Sequence, residues 1–218
     1  MSQIPNILTL FRLVSPALIV LSALFLMPPY SDWMVVALFV LAAISDYLDG
    51  FLARRLNAQS RFGKIFDPIA DKVLVATILV LISVRANLNP WIIVPALIIL
   101  NREIIVSGLR ATARGRGFAV SKLAKIKTFV QMAAIALLLI QELFYHYLVM
   151  GSYGLSPELV AGLINGEIDD TIGLVWKYKG NWITYYGGIV ALWFAALLSI
   201  VTAVDYALKA KNEFKWGR

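Results

Sequence analysis

The sequence predicts an all-α integral membrane protein with six transmembrane helices and both termini in the cytoplasm. Three observations lead there. The chain of 218 residues is 60% hydrophobic, with a mean hydropathy of +0.78, which is more apolar than a soluble domain of ordinary composition. Several apolar runs approach the length of about 20 residues that a helix needs to cross roughly 30 Å of hydrocarbon. Lys and Arg gather on alternate connections, as they do on cytoplasmic loops. Backbone facing lipid must satisfy its own hydrogen bonds, so each spanning run is expected to be a helix.

The first span is expected over 6–27. The start, MSQIPN, lacks the basic region and small-residue cleavage site of a secretory signal, so this segment is expected to be retained. Pro28 and Pro29 close it, and the second and third spans are expected over 33–56 and 67–86. Asn89 and Pro90 open the fourth, 90–113, and Gly115 and Gly117 follow it. The fifth and sixth fall at 121–146 and 182–208. Between them, 147–181 holds Glu158, Glu167, Asp169 and Asp170 and reads as an exposed extracytoplasmic loop with room for a short amphipathic helix. The whole chain, 1–218, is expected to form one membrane-embedded domain.

Charge placement orients these spans. Arg54, Arg55, Arg61, Lys64, Arg114, Arg116, Lys122, Lys125, Lys127 and the tail from Lys209 to Arg218 lie on one side, against Arg85, Lys177 and Lys179 on the other. The richer side is the cytoplasmic one. The net charge of +7 therefore reads as anchoring at an anionic leaflet, not as a nucleic-acid surface. Without Cys and with His146 as the single His, disulfides and thiolate or His-rich metal sites are excluded. A metal would have to be held by oxygen, which favours Mg²⁺, Mn²⁺ or Ca²⁺.

The stretch SDYLDGFLARRLNAQSRFGKIFDPIADK, residues 45–72, departs from this apolar background. At about 100° per residue, Asp46, Asp49, Gly50 and Ala53 share one stripe of the second helix. Asp67 and Asp71, four residues apart, share a face of the third. A short loop pairs the two helices antiparallel, so four carboxylates are expected to converge at the cytoplasmic edge. Such charges repel and resist desolvation unless cations compensate them. A pair of divalent ions resolves the conflict and also suits phosphoryl transfer, since it can clamp both the attacking and the leaving oxygen. Small residues at Gly50, Ala53 and Gly63 admit a large ligand, and Arg54 offers a guanidinium fork for phosphate. Ion pairing that merely stabilises helix ends is the plainer explanation; four intramembrane acids at facing positions argue against it. A cation channel or transporter remains a distinct possibility, opposed by the anion-binding residues nearby.

Asp46, Asp49, Gly50, Ala53, Arg54, Gly63, Asp67 and Asp71 match, without a departure, the signature of the CDP-alcohol phosphatidyltransferase family, which this chain resembles. The resemblance implies that Asp46, Asp49, Asp67 and Asp71 bind two divalent cations, Mg²⁺ or Mn²⁺, and that Asp71 is the general base. It also implies that Thr9, Asp49, Gly50, Ala53, Arg54 and Gly63 line the site of a CDP-linked lipid, most often CDP-diacylglycerol. Homodimers are usual in families resembling this one, and a bacterial inner membrane with the site facing the cytoplasm is the expected location.

The acceptor has to be read elsewhere. IPNILTLFR, with Asn6, Thr9 and Arg12, NREIIVSGLR, with Arg102, Glu103 and Arg110, and SKLAKIKT, with Lys122, Lys125 and Lys127, resemble segments of those family members whose acceptor is sn-glycerol 3-phosphate. Arg110, Lys125 and Lys127 are accordingly expected to hold the acceptor's phosphate, for which an uncharged alcohol would have less need. Arg102 lies deeper and is equally suited to pairing with an Asp or Glu. Inositol phosphate, serine or phosphatidylglycerol would be alternative acceptors on the same aspartate machinery.

Overall fold

In the computed structural model the backbone is described for residues 3–56, 61–112 and 122–216, and side chains for 6–46, 48, 66–108 and 123–208. Among the described residues seven helices follow one another: α1 (Gln3–Phe25), α2 (Tyr30–Leu56), α3 (Arg61–Arg85), α4 (Pro90–Thr112), α5 (Lys122–Ser152), α6 (Pro157–Asn165) and α7 (Leu174–Trp216). No strand occurs among the described residues.

Among those residues, four segments are long and apolar enough to cross a membrane: Asn6–Phe25, Pro90–Gly108, Leu123–Ser152 and Leu174–Leu208. The two remaining long helices, α2 and α3, carry Asp32, Asp46, Asp67, Asp71 and Lys72. Their apolar stretches contribute Val35, Leu38, Phe39, Leu74, Ile78 and Ile82 to the common core.

The bundle is built on a few extensive helix pairs. α5 packs along α7, α1 against both α2 and α3, and α4 against α7. Two glycines let α7 approach α5 closely. A Cβ at Gly188 would stand 2.7 Å from Leu138 Cγ, and one at Gly180 would stand 2.4 Å from Phe144 Cε1. Outside this packing, large apolar side chains such as Leu24, Phe25, Ile104, Phe129 and Val190 are exposed, a surface that lipid rather than water would cover.

The expected connection 147–181 holds a short helix, α6, as it had room for, but α5 and α7 reach further into its two ends than their apolar runs predict. α5 runs on to Ser152, α6 occupies the middle, and α7 begins at Leu174, eight residues before the expected span. Hydropathy marks only the stretch in contact with hydrocarbon, whereas helical hydrogen bonding continues through the polar residues beyond it. At 1.5 Å per residue, the 43 residues of α7 are about 65 Å long, about twice a bilayer's apolar thickness. α6 is a well-capped helix of 9 residues: Ser156 Oγ accepts from Leu159 N, Pro157 opens the first turn, and Gly166 closes the helix at φ 79°. The start of α7 is held by Asp170, whose carboxylate accepts from Leu174 N and Val175 N, both at 2.8 Å.

Polar groups gather at the two ends of the bundle. At one end Asp32 pairs with Arg85 at 2.7 Å, and Asn89 and Gln141 reach Tyr185 and Asn181 on α7. Glu142 of α5 is close enough to interact with both charges of the Asp32–Arg85 pair. His146 lies edge-on to Tyr147 at 5.4 Å at the same end of α5. The opposite end holds the aspartates.

Candidate active site

The start of α1, the end of α2 and the start of α3 meet at one buried side chain. Arg12 is 1% exposed, yet its guanidinium faces three motif carboxylates. Nη1 donates to Asp46 Oδ1, Nη2 donates to Asp67 Oδ1 at 2.8 Å, and Asp71 Oδ1 lies 3.9 Å from Nη1. Thr9, also buried, donates its hydroxyl to Asp67 Oδ1 at 2.8 Å. Arg12 and Thr9 are three residues apart and so share the face of α1 that looks onto α2 and α3. The carboxylates remain open on their other side, with side-chain exposures of 54% for Asp46, 38% for Asp67 and 54% for Asp71.

Beside Asp71 lies a cavity of about 240 Å³ between α3, α4 and α5. Asp71, Lys72, Arg102, Glu103, Lys127 and Gln131 are its main polar lining. Three cations against two carboxylates leave it net positive, and Glu103 organises the charges. Its Oε1 accepts from Lys127 and, at 3.1 Å, from Arg102. Arg102 is tied to α7 as well, through Thr202 Oγ1 at 3.0 Å and the ring of Tyr206 at 5.9 Å. Lys72 donates to Ser107 Oγ, which donates in turn to the Glu103 carbonyl. An anion entering here would meet ammonium and guanidinium groups already held in place, in surroundings that screen them less than bulk water does.

Of the residues singled out in sequence, Asp46, Asp67, Asp71 and Thr9 come together around Arg12, and Lys127 lines the adjoining cavity. Lys125 is exposed and, two residues from Lys127, points some 200° away from it on α5. Asp49, Gly50, Ala53, Arg54, Gly63 and Arg110 lie outside the residues whose side chains are described. Arg102 pairs with an acid, Glu103. Arg12, Lys72 and Gln131 are additions that the sequence reading had not placed at the site. A signal for each was present: an Arg inside an apolar span, a Lys beside a motif Asp, and a Gln one turn from Lys127 within an apolar run.

The donor chemistry suits a hard divalent cation. Three carboxylates from two helices converge on one positive group, and hard oxygen donors are what Mg²⁺ and Mn²⁺ prefer. Among the described residues no three acids are already closed into a metal-binding geometry; the arrangement places Asp46, Asp67 and Asp71 on the Arg12 guanidinium instead.

Carboxylates from two helices of a membrane protein thus stand beside a cation-lined cavity. The chain belongs to the CDP-alcohol phosphatidyltransferase family, whose model matches residues 2–157. Within it, the chain is similar to the CDP-diacylglycerol–glycerol-3-phosphate 3-phosphatidyltransferase of Cereibacter sphaeroides, with 38% identity over 95% of each chain. Similarity to the Rickettsia felis enzyme of the same name is 34% over 97% of each chain. The Escherichia coli K12 enzyme of that name is 43% identical over 63% of this chain and 76% of its own. No solved structure matches.

Proposed function

We propose that this protein transfers the phosphatidyl group of CDP-diacylglycerol to sn-glycerol 3-phosphate, giving phosphatidylglycerophosphate and CMP. The observation that carries the reading is the convergence of Asp46, Asp67 and Asp71 on Arg12, directly beside a cavity that joins Asp71 to Lys72, Arg102 and Lys127. The names of the full-length relatives support this donor and acceptor.

In this reading Asp46, Asp49, Asp67 and Asp71 hold two divalent cations, Mg²⁺ or Mn²⁺, which when bound neutralise the donor's diphosphate and the charge developing on CMP. Thr9, Gly50, Ala53, Arg54 and Gly63 surround the cytidine diphosphate. Lys127 holds the acceptor's phosphate in the cavity and Arg110 contributes at its cytoplasmic approach, whereas Lys125, exposed and turned away from Lys127 on α5, takes no part. Asp71 takes the proton from the terminal hydroxyl of the acceptor. That oxygen bonds to the phosphorus attached to diacylglycerol, and the bond from this phosphorus to the CMP oxygen breaks. Positioning of charged partners supplies most of the rate. In the topology we favour, six spanning helices with both termini cytoplasmic, this site lies at the inner leaflet of the bacterial plasma membrane, and the acyl chains of the donor stay in lipid. A homodimer is the assembly we favour.

The test is CMP release in detergent with CDP-diacylglycerol and Mn²⁺ or Mg²⁺, each acceptor offered separately. Turnover with sn-glycerol 3-phosphate is expected. Turnover of inositol phosphate, serine or phosphatidylglycerol in its place would overturn the choice of acceptor, and no CMP with any acceptor would favour a cation transporter. Asp71→Asn should reduce release at least about 100-fold; full activity in this variant would remove Asp71 from its role as base.

A further inference from the structure

Among the described residues that line the cation-rich cavity, two buried polar atoms have no hydrogen-bond partner, Arg102 Nε and Gln131 Oε1. Gln131 is 3% exposed and lines the cavity, yet its Oε1 accepts no hydrogen bond. Its polar neighbours are all tied to the protein: Lys127 and Arg102 to Glu103, and Lys72 to Ser107. A buried amide left unsatisfied costs stability, so such a group calls for an explanation. Packing does not supply one. The next turns of α5 on this side carry Ala134, Ile135 and Leu138, all core residues, and Leu at position 131 would continue that apolar face.

Position within the cavity indicates what the amide meets. α3 and α5 both run inward from the aspartate end. Val75 lies one turn beyond Asp71 on α3, and Gln131 lies one turn beyond Lys127 on α5. Both line the cavity and are, among its lining residues, the farthest along α3 and α5 from the start of each helix. A three-carbon phosphate held with its phosphate at Lys127 and its terminal hydroxyl at Asp71 spans the cavity one helical turn from Gln131 and Val75. A carboxamide can accept a hydrogen bond from a hydroxyl on the middle carbon and donate one to it.

We propose that Gln131 is a specificity-determining residue whose carboxamide hydrogen-bonds the secondary hydroxyl of the phosphorylated acceptor. The inference rests on the acceptor reading given above. It names the group that would tell a triol phosphate from a diol phosphate of the same length and charge.

The experiment compares sn-glycerol 3-phosphate with 3-hydroxypropyl phosphate, which lacks only the middle hydroxyl, in wild type, Gln131→Leu and Gln131→Met. CMP release is followed at saturating CDP-diacylglycerol and Mn²⁺. Wild type is expected to favour sn-glycerol 3-phosphate in kcat/KM by about tenfold, the scale of one neutral hydrogen bond. In both variants that ratio should fall to near one, with the loss confined to sn-glycerol 3-phosphate. The KM for the donor should stay unchanged, and thermal stability in detergent should be equal or higher, because an unsatisfied buried amide has been removed. An unchanged ratio in variants that turn over would overturn the proposal, as would equal losses on both acceptors, which mark a group that only holds water or fills space. Failure of both variants to fold would also overturn it, by making Gln131 structural. If wild type releases CMP only with an unphosphorylated acceptor, the acceptor reading itself has failed and the proposal falls with it; that outcome is visible in wild type alone.

Discussion

Replacing Arg12 by Met tests the heart of the site. Methionine keeps most of the buried stem volume and removes the guanidinium, which donates to Asp46 and to Asp67 and stands 3.9 Å from Asp71. A hydrogen bond to a charged group contributes about 1.5–3 kcal/mol. The carboxylates are 38–54% exposed, so water screens them and the lower part of that range applies to each bond. Two such bonds at the bottom of the range give a loss of about 3 kcal/mol, or roughly 6–12 °C in the melting temperature of a chain this long. The deficit should appear in chelator-treated protein and shrink when Mn²⁺ is added, because a bound cation replaces the missing positive charge. Mn²⁺ itself should bind the variant at least about tenfold more tightly, since a fixed cation no longer competes for the same oxygens. Melting curves with and without Mn²⁺, and calorimetric titration of the metal, measure both quantities. An Arg12→Met protein that melts like wild type in chelator, or binds Mn²⁺ more weakly, would refute the view of Arg12 as the cluster's internal counter-charge.

Three further outcomes are expected. Arg85→Met leaves the carboxylate of Asp32, only 6% exposed, without its partner and should cost about 3–5 kcal/mol; the double variant Arg85→Met/Asp32→Leu should recover much of this, and equal melting temperatures for the single and double variants would contradict it. Gly188→Ala places a Cβ 2.7 Å from Leu138 Cγ and Cδ2, inside the core, so it should destabilise by about 1–3 kcal/mol despite alanine's better helix propensity; a melting temperature at or above wild type would show that α5 and α7 do not pack this closely. At the start of α7, hydrogen bonds from the backbone N–H groups of Leu174 and Val175 hold the Asp170 carboxyl below the usual carboxylate range. A lowered folded-state pKa stabilises above the unfolded value of about 4 and is lost as pH falls through the folded one. Asp170→Asn should therefore weaken hydrogen-exchange protection of the first turn of α7 at pH 7, with the difference from wild type closing below about pH 4. A gap that stays constant down to low pH would count against the cap.

The extent of what can be read locally follows from the range of the forces involved. Helical character, the apolar runs and the eight motif positions from Asp46 to Asp71 are properties of neighbouring residues, so they are legible in the sequence by itself, and the family follows from them. The ends of α5 and α7 are less legible, because hydropathy reports where lipid is and not where helical hydrogen bonding stops. Asp170, the capping group that fixes the start of α7, reads in the sequence as a residue of an exposed loop. Choice of partner is not a local property at all. Arg12 meets Asp67 across 55 positions and Arg102 meets Thr202 across 100, and only packing of α1 on α2 and α3, and of α4 on α7, brings these groups together. The sequence alone determined that four acids and a run of cations would share one end of a helical membrane protein. The tertiary structure decided that the acids face a buried arginine, that Lys127 is held by Glu103, and that Gln131 lines the cavity with an unpaired amide oxygen. Each of these depends on which helix faces lie against one another, and helix periodicity defines a face without naming its partner.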